Sequence, residues 1–264
     1  MNPDDYGALE VSTVDRITTV EINRPEAYNA INSVLHDDFT RVFTDLDQDP
    51  DTDVVILTGA GKSFCAGGDI PWLRSMAGNV AEVERVIRAD RRITESALTL
   101  EKPILAKVDG PAVGLGCSLA LYCDFVYASE RSVFGDPHVS VGLVAGDGGA
   151  LLWPQLVGYA RARRYLLTGD LIKAPEAADI GLITECVPGD ELDATVQAMA
   201  ERMRDGARLA IKFTKASINA GLRQVASAVV DRAASTEGLT MMTEDFVIAL
   251  DAFMAKEPSE FIGR

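Results

Sequence analysis

Short apolar runs stopped by glycine turns alternate along the first half of this chain with longer segments of helical period. Residues 9–15 and 16–22 are rich in Val, Ile and Thr and are expected to pair as strands. Residues 54–57 form an apolar run ended by Thr58-Gly59, and residues 104–108 form another ended by Asp109-Gly110-Pro111. Both read as buried strands, as does 125–128. Between them, 33–46 places Val34, Leu35, Phe39, Val42, Phe43 and Leu46 at helical spacing, and 81–100 and 115–121 are further helices. Strands alternating with helices predict an α/β fold with mostly parallel sheets. Beyond Gly146 the pattern turns helical, over 148–158, 160–168, 175–181, 191–204, 207–220 and 225–255. The expected organisation is an α/β core over 1–200 and a helical C-terminal region over 201–264.

The chain has 264 residues, 47% of them hydrophobic, enough to bury a large core. Its net charge of -15 repels phosphate backbones, so nucleic acid is not an expected partner. No apolar run approaches the roughly 20 residues of a membrane span. The acidic, polar stretch 1–6 does not read as a signal peptide. Cys65, Cys117, Cys123 and Cys186 form no C-x-x-C pair, and no His stands at ligand spacing from them. The expectation is a cytoplasmic protein with reduced cysteines and no metal.

Two glycine-rich stretches do not complete the motifs they suggest. Gly61-Lys62-Ser63 lacks the upstream glycine of a phosphate loop, and Gly114-Leu115-Gly116 lacks the third glycine of a dinucleotide fingerprint. There remains a pair of turns, 59–70 and 110–117, each after a strand. Glycine lets a chain turn sharply and lets a ligand approach the backbone. Free N–H groups at a helix start favour negative charge. Facing each other, the two turns would form an oxyanion hole; otherwise they are only tight strand-to-helix connections.

The stretch Phe64-Cys65-Ala66-Gly67-Gly68-Asp69-Ile70 resembles the F-x-A-G-x-D motif of the crotonase, or enoyl-CoA hydratase/isomerase, superfamily. Residues 108–120 with Cys123-Asp124 resemble its second motif, and residues 23–30 its R-P-x-x-x-N-A. Residues 167–187 resemble its L-T-G turn and the A-x-x-x-G-L-(I/V)-x-x-V segment beyond that turn. The resemblance covers about residues 9–260, with the motifs in family order. It implies a crotonase-type spiral of β-β-α repeats, with 201–264 as a trimerisation region and a homotrimer or homohexamer as the assembly. It also implies that the backbone N–H groups of Gly68 and Leu115 are the oxyanion donors, and that Ala27, Ala66, Asp69 and Ile70 line the groove for coenzyme A. Lys256 is the implied contact for coenzyme A phosphates, reaching across from a neighbouring subunit. Coenzyme A would enter as part of the thioester substrate, with no permanently bound cofactor.

Two glutamates of typical hydratases correspond here to Ser118 and His138, and a neutral serine cannot serve unaided as a base near pH 7. Asp147 follows His138 by nine residues, and an aspartate can orient an imidazole and stabilise its cation. Because Asp147 also precedes a helix, N-capping is a second role open to it. The His/Asp pair resembles the β-diketone hydrolase branch, where another acid would fall near Glu237, although Leu115 stands where oxocamphor hydrolase carries a His. His36, the other histidine, is expected on a helix surface. Cys65 and Cys117 lack a partner base, and Asp124 is expected to be structural. Three functions stay open: an enzyme that forms the enolate of an acyl-CoA or enoyl-CoA by hydration, dehydration or isomerisation; a β-diketone C–C hydrolase; and a non-catalytic acyl-CoA-binding protein.

Overall fold

The computed structural model describes residues Met1–Arg264. Strands β1 (Leu9–Val14), β2 (Ile17–Ile22), β3 (Val54–Gly59) and β4 (Ile104–Val108) come first, joined by helices α1 (Ser33–Gln48), α2 (Ile70–Met76) and α3 (Val80–Thr99). Next come β5 (Pro111–Val113), α4 (Leu115–Leu121), β6 (Phe125–Ser129), β7 (Val133–Gly135), α5 (Gly149–Thr168), β8 (Ile172–Lys173), α6 (Ala174–Asp179) and β9 (Glu185–Val187). Helices α7 (Leu192–Arg204), α8 (Arg208–Thr240) and α9 (Glu244–Ala255) complete the chain.

The strands form a six-stranded sheet of order β1-β2-β3-β4-β6-β9 and a three-stranded sheet of order β5-β7-β8. Only the β1–β2 and β7–β8 pairs are antiparallel. In β3 the residues Val54 to Thr58 are all buried, as expected of a parallel strand covered on both faces. The chain passes from one sheet to the other at Asp109-Gly110. Gly110 has φ +100, and a Cβ there would stand 2.2 Å from the Lys62 carbonyl oxygen, so only glycine fits. The repeats β4-β5-α4 and β6-β7-α5 are turns of the expected β-β-α spiral.

Helix α1 buries Leu35, Phe39, Val42, Phe43 and Leu46 on one face, and Asn32 caps it by accepting from the Leu35 N–H at 3.0 Å. The two helical segments expected over 148–158 and 160–168 are both present within α5, separated by a kink at Gly158, whose dihedrals (φ 77, ψ 159) are not helical. The expected break near 221–224 is absent. Helix α8 runs through Gly221, and the chain breaks instead at 241–243, where Thr243 caps α9 by accepting from the Phe246 N–H. One exposed glycine costs a helix only about 1 kcal/mol, which packing of α8 along α3 and α5 outweighs. Asp124 is structural as expected. It accepts from the Ile104 N–H and pairs with Lys215 of α8, both at 2.8 Å, so it ties the last long helix to the sheet.

Candidate active site

The first glycine turn is held by Asn29, buried with φ 57. Its Oδ1 accepts from the Arg24 N–H at 2.9 Å, and its Nδ2 donates to the carbonyl oxygens of Ala60 (2.9 Å) and Ser63 (2.7 Å). The turn is then stitched to the second one. The Cys65 N–H donates to the Pro111 carbonyl and the Val113 N–H to the Cys65 carbonyl, both at 2.9 Å. A Cβ at Gly67 (φ +92) would stand 3.2 Å from the Val113 carbonyl oxygen, so the two backbones are in contact.

Peptide geometry then directs the two N–H groups of interest. The Gly67 carbonyl accepts from the Ile31 N–H at 2.7 Å. In a trans peptide the next N–H points the opposite way, so the Gly68 N–H is turned away from Ile31. The Gly114 carbonyl accepts from the Ser118 N–H inside α4, so the Leu115 N–H points out of the helix start. Neither N–H has a hydrogen-bond acceptor within the chain, and both residues line one cavity of about 580 Å³.

His138 lies on the wall of the same cavity, in a 3-10 turn (His138–Val141) just after β7. Its Nε2 is 3.2 Å from Asp147 Oδ2 and 3.7 Å from Glu237 Oε1. Its Nδ1 is bonded to Asp136, whose side chain is fully buried. Asp147 sits on the loop before α5, but Gly148 is the N-cap and no side chain caps that helix. The capping role open to Asp147 in the sequence is therefore not the one it plays. Its second oxygen instead accepts from Ser118 Oγ at 3.1 Å. Gly148 allows this approach, since a Cβ there would come within 2.8 Å of Ser118 Cβ and Tyr122 OH.

Of the residues expected to bind coenzyme A, Ala27, Ala66, Asp69 and Ile70 all line the cavity. The Asp69 carboxylate is also engaged locally, capping α2 and pairing with Arg24 at 3.1 Å. Lys256 does not line the cavity; it is exposed just after α9, three residues beyond Phe253, which does. His36 departs from expectation, being 1% exposed and part of the cavity wall. Its place on α1 falls between Leu35 and Phe39, on the face that packs inward. Cys65 is buried without a partner base, and burial pushes its thiol up to about 12.

The family model described as enoyl-CoA hydratase/isomerase matches residues 13–264. The chain belongs to the enoyl-CoA hydratase/isomerase family. It is 34% identical over 98% of its length to a crotonyl-CoA hydratase of Syntrophomonas wolfei, covering 99% of that protein. Among solved structures, an enoyl-CoA hydratase/isomerase of Mycobacterium paratuberculosis is 35% identical, with a TM-score of 0.91 over 94% of this chain and 99% of that one. A β-diketone hydrolase of Anabaena, bound to (S)-3-oxocyclohexyl acetic acid, is 26% identical, with a TM-score of 0.83 over 90% of this chain and 95% of that one. The protein is thus an enzyme of the hydratase/isomerase type.

Within this family member, Asp136 is what reading the sequence missed, while the acid near Glu237 came only from the resemblance to the β-diketone hydrolase branch. Asp136 was visible as the acid of Asp136-Pro137-His138, where a proline turn can fold a carboxylate back onto the ring. Glu237 carries no local signal. It reaches the site from α8, and both Asp136 Oδ2 and Glu237 Oε2 are buried without a hydrogen-bond partner. Burial opposes a charge on His138, but the Asp136 and Asp147 carboxylates outweigh it and hold the imidazole well above its ordinary 6.5. Burial likewise pushes the Glu237 carboxyl well above its ordinary 4.5; the His138 charge opposes this, and Asp147, Asp90 and Asp136 add to it.

These shifts fix a sign for stability. From about pH 6.5 upward the unfolded His138 loses its proton while the folded one keeps it, so the native state holds more protons. Stability is expected to fall with rising pH above that point, by up to about 1.4 kcal/mol per pH unit for one proton. Urea unfolding across neutral to alkaline pH measures the slope, and His138→Gln should flatten it.

Proposed function

We propose that this enzyme acts on an acyl or enoyl thioester of coenzyme A through an enolate. The N–H groups of Gly68 and Leu115 donate to the thioester oxygen as charge develops on it. His138, held by Asp136 and Asp147, supplies the proton transfer that paired glutamates would otherwise provide. As an imidazolium it gives a proton to the substrate carbon, while the Asp147 carboxylate beside it accepts one from water. The observation that carries this reading is the meeting of two unpartnered main-chain N–H groups and an imidazole–carboxylate cluster on one cavity. Ala27, Ala66, Asp69 and Ile70 are the proposed contacts for coenzyme A, and Lys256 is proposed to reach its phosphates across a subunit contact. The region from residue 201 is the proposed trimer contact, since Leu209, Phe213 and Ile218 of α8 remain exposed.

A second reading, hydrolysis of a 1,3-dicarbonyl C–C bond, is favoured by Glu237 standing beside the His138–Asp147 pair and by the likeness to the Anabaena hydrolase. One assay separates the two. The thioester reading expects hydration of crotonyl-CoA and measurable affinity for acetoacetyl-CoA. Turnover of a cyclic β-diketone with no affinity for any coenzyme A ester would replace it with the second. Binding of acetoacetyl-CoA without turnover of any enoyl thioester would leave a binding protein.

A further inference from the structure

Ser118 of α4 is buried and does not line the cavity, so it has no contact with what the cavity holds. A serine inside a helix often donates to the carbonyl one turn back. Ser118 instead donates across the fold, from Oγ to Asp147 Oδ1 at 3.1 Å. Asp147 is itself buried, and its carboxylate has only two polar contacts in the chain. Ser118 holds Oδ1, and His138 Nε2 stands 3.2 Å from Oδ2. A carboxylate held at one oxygen can still swing about its Cβ–Cγ bond, a soft torsion, and a bond to the other oxygen fixes its plane.

The main chain at Asp147 is fitted to the same face of α4. Tyr122, one turn beyond Ser118, donates to the Asp147 carbonyl oxygen at 3.4 Å, and its hydroxyl is bonded to Thr94 of α3 at 2.8 Å. The opposite end of the pair is placed just as closely. A Cβ at Gly114 would stand 3.6 Å from His138 Cε1, so the ring lies beside the turn that carries the Leu115 N–H. Resting on the thioester reading, we infer that Ser118 is a positioning residue, whose hydroxyl turns the Asp147 carboxylate so that its other oxygen meets His138 Nε2. It touches no reacting atom and acts through Asp147. A misplacement of about 1 Å in such a pair can cost up to ~10²-fold in rate, so one hydroxyl outside the cavity can govern the proton transfer within it.

The test is a double-substitution cycle in crotonyl-CoA hydration, with Ser118→Ala, Asp147→Ala and the two combined. Ser118→Ala should lower kcat about tenfold or more and change KM by less than about twofold, because the cavity wall is untouched. In the Asp147→Ala background the same substitution should change kcat by less than about twofold, since its route to the chemistry is gone. Ser118→Cys keeps a weak donor in a side chain of similar shape and should fall between Ser and Ala. It replaces the Ala variant should that one fail to fold. Ring ¹⁵N NMR adds a readout that needs no turnover. The chain has two histidines, and the second, His36, is held by Asp90 at 2.8 Å. Ser118→Ala should move the His138 ring resonances and leave those of His36 in place. A full Ser118→Ala penalty persisting in the Asp147→Ala protein, or wild-type kcat with the His138 ring unmoved, would overturn the positioning role and leave the thioester reading standing. A wild type that hydrates no enoyl thioester would overturn that reading, and the ring resonances would still decide whether Ser118 orients the pair.

Discussion

Leu115→Pro is expected to lower kcat on a thioester substrate by about 10²–10³-fold while the fold survives, the effect of deleting one oxyanion donor. Leu115 is the first residue of α4, and its N–H has no acceptor in the chain. Proline is favoured at that position of a helix, because its fixed φ suits the first turn and the missing N–H was unpaired anyway. The substitution therefore removes the proposed donor with little damage to α4. Leu115 is 8% exposed, so side-chain loss must be separated from amide loss. Leu115→Ala keeps the N–H and removes most of the side chain, and it should retain most of the activity. The comparison needs steady-state kinetics and a thermal unfolding curve for each variant. Equal kcat in the Pro and Ala variants would remove this amide from the mechanism.

His138→Gln should reduce kcat by about 10²–10⁴-fold, the usual worth of a positioned proton-transfer group. Its electrostatic consequence is as specific as the kinetic one. The imidazolium lies against Asp136, Asp147 and Glu237, all buried. Without it those carboxyls face one another with no cation, and breaking a buried ion pair costs several kcal/mol. The variant should therefore be less stable than the wild type at neutral pH and regain stability in mild acid, where a carboxyl takes up the lost proton. Activity measured in both conditions, alongside urea unfolding, separates chemistry from folding. A folded His138→Gln protein hydrating crotonyl-CoA at near wild-type rate would show that His138 only holds the loop together.

Much of the fold was legible in the sequence because its signals are local. Runs of β-branched residues stopped by Gly59 and Gly110 mark strand ends, and the period of Leu35, Phe39, Val42 and Leu46 marks α1. The four motifs in family order pointed to the spiral and to the two turns, since each depends on what a glycine backbone permits at that position. His138 and Asp147 were also within reach, lying nine residues apart on neighbouring loops.

Other features were set by packing. Asp136 was in view, but only the folded turn shows its carboxylate on Nδ1. His36 and Asp90 stand 54 residues apart, and their meeting depends on α1 packing against α3. Glu237 arrives on α8, whose course past Gly221 reflects contact with α3 and α5 rather than local propensity. Asp147 looked suited to capping a helix, and the fold gave its two oxygens to Ser118 and His138 instead. The sequence alone thus determined the strand and helix pattern, the two glycine turns and the family, because backbone preferences act within a few residues. Which side chains share the cavity, and what charge each holds there, was decided by tertiary structure, because burial and proximity are properties of elements brought together from distant parts of the chain.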